Sequence, residues 1–312
     1  MATWAYPQLP PDLLKKEEDE NLARELKWLL RSLQESLVSL REGLQECAAL
    51  LDPTRPGSTL VLSSLRSENV KGFVTRVGTK IVKGDVQLRL QSLTPPKGSN
   101  STRLTISNEP TATEIILNQL AFVRRLINES LDVIDVSTWT GDPMDANFIA
   151  GQLRLLHDNL SEARLTLKGE GDESKKQWFQ NSVDEDSFDP PLPPYMSFHL
   201  SISEAALVLN LRTLEPASHD GTPTTTFAPE ISLSGFSLRE KLFGPRHPVH
   251  EESGDVFDWK GEEVKVKEKI RVESQDPSLM SAMAKLTALE HEVSRWKSAL
   301  AIVREEDETD SE

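Results

Sequence analysis

The sequence predicts an α+β fold: an antiparallel four-helix bundle domain plus an antiparallel β-rich domain made from two insertions between the helices. Four segments repeat apolar residues at alternating spacings of four and three, which places them on one stripe of a helix. Two intervening blocks alternate with period two, the pattern of half-buried strands. Prolines, glycines and acidic runs fall where the period changes. The 312 residues suffice for about two domains at ~100 to 200 residues each.

Residues 1–20 read as a flexible N-terminus, with Pro7, Pro10 and Pro11 followed by the acids Glu17 to Glu20. The first helix spans 21–52, where Leu26, Leu30, Leu33, Leu37, Leu40, Leu44, Cys47 and Leu51 form an unbroken apolar seam. Such a stripe stays in water unless other helices cover it. A second copy, a foreign helix and the chain's own later helices all meet that need. Asp52-Pro53, Pro56 and Gly57 end the helix. Strands follow at 59–64, 70–77, 81–90 and 103–107, with Val86, Leu88 and Leu90 alternating against Gln87 and Arg89.

Helix returns at Thr111, whose hydroxyl and the Glu114 carboxylate have the spacing of a capping box. Ile116, Leu120, Val123, Ile127, Ser130 and Ile134 carry its stripe. Asp142-Pro143 opens a third helix, with Ile149, Leu153, Leu156, Leu160, Ala163 and Leu167 on one side and Gly169 at its end. Residues 170–194, acidic and then proline-rich, read as a disordered linker.

A hairpin is expected from 196–202 and 206–214, then strands at 230–233, 256–259 and 262–272. In the last of these, Val264, Val266, Ile270 and Val272 are assigned to a core face, and Lys265, Lys267, Lys269 and Arg271 to the other. Asp276-Pro277 starts a fourth helix striped by Leu279, Met283, Leu286, Leu289, Val293, Trp296, Leu300 and Val303, and 305–312 is an acidic tail. The helical-bundle domain is therefore discontinuous, 21–52, 111–168 and 276–304; the β-rich domain takes 58–107 and 195–273. Four matching stripes favour mutual coverage in one bundle over a zipper between copies, which leaves the other three short of a partner.

A net charge of −15 argues against nucleic acid and anionic lipid as partners, because phosphate affinity comes from concentrated Lys and Arg. One cysteine excludes an intramolecular disulfide, and a chain without a leader or an ~18-residue apolar run is expected in the reducing cytoplasm. The chemistry-bearing residues do not converge. The six histidines are scattered, and His247 and His250 beside Glu251 and Glu252 offer at most a weak metal site in a solvated loop. Cys47 falls on the seam as a small apolar group, and no glycine-rich turn has the phosphate-binding pattern. No catalytic residue, cofactor or metal is assigned. Ser174, Ser182, Ser187, Thr309 and Ser311 lie among acids, a setting common in plain solvated chain. The row Lys265, Lys267, Lys269 and Arg271 is the one partner-facing candidate; protection of an open sheet face from aggregation is its plainer explanation.

Several short motifs occur in a telling order: Glu25-Leu26-Lys27-Trp28-Leu29-Leu30, then Val70-Lys71-Gly72 and Asp85-Val86-Gln87-Leu88-Arg89-Leu90. Leu211-Arg212-Thr213-Leu214-Glu215-Pro216 and Phe257-Asp258-Trp259 follow. In these the chain resembles the Rogdi family of leucine-zipper proteins, which includes the smaller subunit of the RAVE complex. The resemblance implies an elongated molecule with a helical-bundle domain and a β domain. It also implies a non-catalytic adaptor that binds a large WD-repeat scaffold and promotes assembly of the V-type proton ATPase, meeting the peripheral sector through the complex. That places it in the cytoplasm, recruited peripherally to vacuolar and endosomal membranes through partners. The acidic insertion at 170–194, the Ser/Thr/Pro loop at 215–229 and the tail resemble a fungal-type member. The alternative function is a self-associating coiled-coil structural protein.

Overall fold

Helix α1 (Pro11–Leu50) opens the chain in the computed structural model, which describes residues 10–54, 56–65, 68–138, 145–170, 178–217 and 250–304. It starts ten residues before the expected position. Pro11 sits in its first turn, where a missing N–H costs nothing and the fixed φ suits a helix. The charged residues that follow are good helix formers. Residues 11–28 bury no side chain; only Leu22 and Leu26 reach half-burial, and Trp28 is 66% exposed.

β1 (Ser58–Ser63), β2 (Val70–Val77), β3 (Lys80–Leu88) and β4 (Thr102–Ile106) form an antiparallel meander. Alternation sends Leu60, Leu62, Val74, Ile81, Val86, Leu88 and Leu104 inward, while Val61, Phe73 and Val82 stay exposed on the other face. Gly72 is required where β2 crosses β3, because a Cβ there collides with the Asp85 carbonyl oxygen.

The expected capping box at Thr111 does not form. Ile115–Ile116 is instead a short strand, β5, paired with Lys80 and Ile81 of β3, and Glu114 forms an ion pair with Lys80. Sheet pairing holds the segment extended, so α2 (Asn118–Ser137) begins later, behind Leu117 and without a side-chain cap. α3 (Ala146–Lys168) is capped by Asp145, which accepts from the Asn147 N–H at 2.8 Å. Asp142-Pro143, the expected start, lies outside the described residues. Gly169 closes α3 at φ +90°, as its position after the stripe anticipates.

Residues 178–194 are not a disordered linker. Trp178, Phe188 and Leu192 are buried, and Phe188–Asp189, β6, extends the first sheet beside β4. Composition misleads here because a few aromatic side chains anchor an acidic, proline-rich stretch. The part at 171–177 lies outside the described residues.

The second sheet runs β7 (Met196–Ser203), β8 (Ala206–Pro216), β10 (Glu262–Gln275), β9 (Val256–Trp259), all antiparallel. The β7–β8 hairpin turns at Glu204 and Ala205, both at positive φ. Their N–H groups donate to the carbonyls of Lys168 and Leu167 at 3.0 and 2.9 Å, so a strained turn completes the end of α3. The free edge of β7 is covered at two points: Gln119 exchanges two hydrogen bonds with Ile202, and Ser182-Val183 bonds Phe198. The expected strand at 230–233 lies outside the described residues.

α4 (Pro277–Val303) follows β10 through Asp276, whose carboxylate accepts from the N–H groups of Ser278 and Leu279. The same carboxylate accepts a hydrogen bond from the Arg76 Nε–H at 2.6 Å, with both side chains at most 2% exposed. Among the described residues each of the four α-helices packs on two others, α1 on α2 and α4, and α3 likewise on α2 and α4. The buried apolar residues of the helices, the first sheet and the inner face of the second form one continuous core. Among the described residues no helix is long and apolar enough to cross a membrane.

Candidate functional site

The leucine seam is covered from within. Leu30, Leu33, Leu37, Leu40, Leu44, Cys47 and Leu51 are at most 3% exposed inside the continuous core, and Leu26 is half-buried at the far end. Burying each leucine contributes roughly 1.5–3 kcal/mol before ordering entropy. Burial pushes the Cys47 thiol up to about 11, against a smaller opposing pull from Lys285. It stays protonated at neutral pH and is a poor nucleophile.

The basic row of β10 is divided by a bulge. Val266 pairs with Leu214 and Glu268 with Thr213, which leaves Lys267 as one extra residue. Sequence parity continues through the bulge, but the faces exchange. Val264 and Val266 join an outer cluster with Leu214, Trp178 and Trp259, whereas Ile270 and Val272 pack on the main core. The expected common face for these four apolar residues, and for the four basic ones, is therefore corrected. Lys269 and Arg271 share the outer face with Arg212 and Asn210, while Lys265 points the other way. Lys267 lies 3.7 Å from Glu215, and Arg271 3.5 Å from Glu273. On the inner face Glu268, 6% exposed, accepts from the Ser92 hydroxyl at 2.8 Å, which ties the two sheets together.

The outer face of β7–β8–β10 gathers the densest polar chemistry of the described residues. Antiparallel register aligns Ser197, Arg212 and Lys269 in one row and His199, Asn210 and Arg271 in the next. Arg212 is 5% exposed; its Nε and Nη2 donate to the two Glu252 oxygens at 2.7 and 2.8 Å, a bidentate fork that fixes both planes. Lys269 donates to the same carboxylate at 2.7 Å. Burial opposes ionisation of Glu252, but these hydrogen bonds and charges outweigh it and hold the carboxyl at about 2. Burial first, and then the Arg212 charge, push His199 down to about 4, so it is neutral near pH 7.

Aromatic rings cover this array. The Arg212 guanidinium lies 4.6 Å from the Trp178 ring centroid, within cation–π range. Trp178 meets Phe179, Phe257 and Trp259 with centroids 5.6, 5.1 and 5.9 Å apart. Trp259 Nε1 donates to the Pro194 carbonyl at 3.1 Å, so two segments far apart in sequence close over one sheet face.

Arg212 entered the sequence reading only as part of the 211–216 motif, and Glu252 and Trp178 had no periodic signal. His247 lies outside the described residues, and among those described no three metal-ligating side chains come together. His157 sits on α3 beside Asp158 at 3.5 Å. The arrangement suits recognition of charge more than bond chemistry. A comparison with curated proteins finds no match. The family model described as Rogdi leucine zipper containing protein matches residues 25–301, which runs from within α1 to within α4 and includes both sheets, and the chain therefore belongs to the Rogdi family.

Proposed function

We propose that this chain is a non-catalytic adaptor subunit of a RAVE-like complex. It binds a large WD-repeat scaffold and, through it, promotes reassembly of the vacuolar and endosomal V-type proton ATPase. Family membership over residues 25–301 is the observation that carries this reading. The buried seam supports a division of labour in which the four helices act together as an internal bundle and exposed surfaces meet the partner. The protein then works in the cytoplasm and reaches the membrane through its partners, without nucleic acid, metal or cofactor. Deleting the gene in its host should impair vacuolar acidification and lower the association of the two ATPase sectors. Affinity purification should recover a WD-repeat scaffold with ATPase subunits. Normal acidification with intact sector association would overturn the proposal.

Self-association through the leucine seam is the competing reading, and the burial of Leu30 to Leu51 weighs against it. Light scattering of the purified chain decides: a concentration-independent monomer excludes the zipper, and a stable dimer lost on polar substitution of the seam restores it.

A further inference from the structure

The two sheets differ in how their outward cations are matched. On the second sheet Arg212, Lys269 and Arg271 each meet a carboxylate. On the first, Lys71 of β2, Lys83 of β3 and Arg89, one residue past β3, are exposed on the outer face and make no ion pair or side-chain hydrogen bond. Asp85 stands between them on β3, but Arg103 of β4 engages it, with Nε donating at 2.9 Å. The other acids lie at the border: Glu68 before β2, Glu114 paired with Lys80, and Asp189 on β6. Protection of a sheet edge does not account for these cations, because β2 and β3 are each paired on both sides.

Apolar surface is set among the charges. Val61 and Phe73 are cross-strand partners and remain 65% and 40% exposed. Lys71 stands in the next row on one side of this pair, and Lys83 in the next row on the other. Beyond Lys71, a cavity of about 130 Å³ is lined by Glu68, Asn69, Lys71, Gln87 and Arg89. Lys83 and Arg89 mark the ends of a track roughly 20 Å long at the rise of a strand. A small anion reaches one of these cations and leaves Phe73 in water. An anionic bilayer calls for a denser cluster of Lys and Arg than this face offers, and a chain of −15 opposes it. A polypeptide matches both features, since its carboxylates follow the track while one side chain covers the apolar pair.

We infer that the outer face of β1–β2–β3 is a docking surface for an acidic segment of a partner protein. Its carboxylates meet Lys71, Lys83 and Arg89, and a large apolar side chain rests on Val61 and Phe73. The surface goes beyond the scaffold reading, and its failure leaves that reading intact.

The test titrates the full chain, by fluorescence anisotropy, against a short labelled peptide of glutamates around a central leucine. Saturable binding that weakens with added salt is expected. Lys71→Glu/Arg89→Glu and, separately, Lys83→Glu should each weaken it about tenfold without lowering Tm, whereas Lys16→Glu on the exposed start of α1 should not. Phe73→Ala should abolish the advantage of the leucine peptide over its alanine counterpart. No saturable binding, equal binding of a peptide with glutamine for glutamate, equal loss in Lys16→Glu, or a leucine advantage that survives Phe73→Ala overturns the proposal. Tighter binding to phosphatidylserine vesicles that depends on Lys71 and Arg89 assigns the face to a membrane and also overturns it. So does a wild-type dimer that Lys71→Glu/Arg89→Glu dissociates, which assigns the face to a second copy.

Discussion

The second sheet is packed on both faces, and the two faces are built differently. Its inner face meets helices through Phe198, Ile202, Leu207, Leu209, Leu211 and Val272, all in one continuous apolar core. Its outer face is closed by Trp178, Phe179, Phe257 and Trp259 around a bidentate Arg212–Glu252 pair. The inner packing is redundant, because each helix has two neighbours and any lost contact leaves many others. The outer packing depends on a few side chains, each with several roles. Stability is thus spread over many contacts on one face of the strands and concentrated in a few on the other.

The contrast predicts a graded series of substitutions. Asp276→Ala should be the most damaging, about 3–5 kcal/mol, since it strands the buried Arg76 charge; urea denaturation should show the midpoint fall. Leu44→Ala, within the redundant core, should cost about 2–5 kcal/mol through the cavity it leaves, again with a single cooperative transition. Trp259→Ala should lower global stability less than its size implies. Hydrogen exchange should accelerate at 178–194 and 250–259 while the helices stay protected, and uniform loss of protection would show that the outer cluster is not a separate unit. Gln119→Leu should cost about 1–3 kcal/mol, because Ile202 loses both edge partners.

Acid should act on the outer face as well. His199 binds its proton less readily folded than unfolded, so the unfolded chain takes up more protons between about 6.5 and 4. Stability should fall as pH drops through that interval, and His199→Gln should flatten the decline. Glu252, with its carboxyl held at about 2, should keep its ion pairs in the folded protein down to about pH 2, while the stability they contribute declines as pH falls below about 4.5, where the unfolded carboxylate takes up its proton. A His199→Gln variant as acid-sensitive as wild type between 6.5 and 4 would remove His199 from this account. The smallest effect belongs to Trp28→Ala: Trp28 is 66% exposed on α1, and stability should change within about 0.5 kcal/mol.

Much of the inner architecture was legible because its signals are periodic. The α1 seam, the Asp276-Pro277 cap and the alternation of Val86, Leu88 and Leu90 each repeat or fall at a set offset. The outer face was not legible. Trp178 and Trp259 meet across dozens of residues without a repeating interval, and an acidic, proline-rich composition masked the order at 178–194. At β10 the bulge at Lys267 inserts one residue into the ladder while sequence parity runs on. A row of basic residues can then look like one face and belong to two. Thr111 and Glu114 had the correct spacing for a cap, but Ile115 and Ile116 found strand partners first.

The Arg76–Asp276 pair joins positions 200 residues apart, and this separation sets an order of events on the ribosome. At roughly 5–20 residues per second, the strand bearing Arg76 waits on the order of 10–40 s for its carboxylate. During that interval the apolar stripe of α1 also lacks α4, its late-made neighbour. The nascent chain thus shows a leucine zipper that the finished protein conceals, and premature termination anywhere before residue 276 would leave that stripe exposed to chaperones and to other nascent copies.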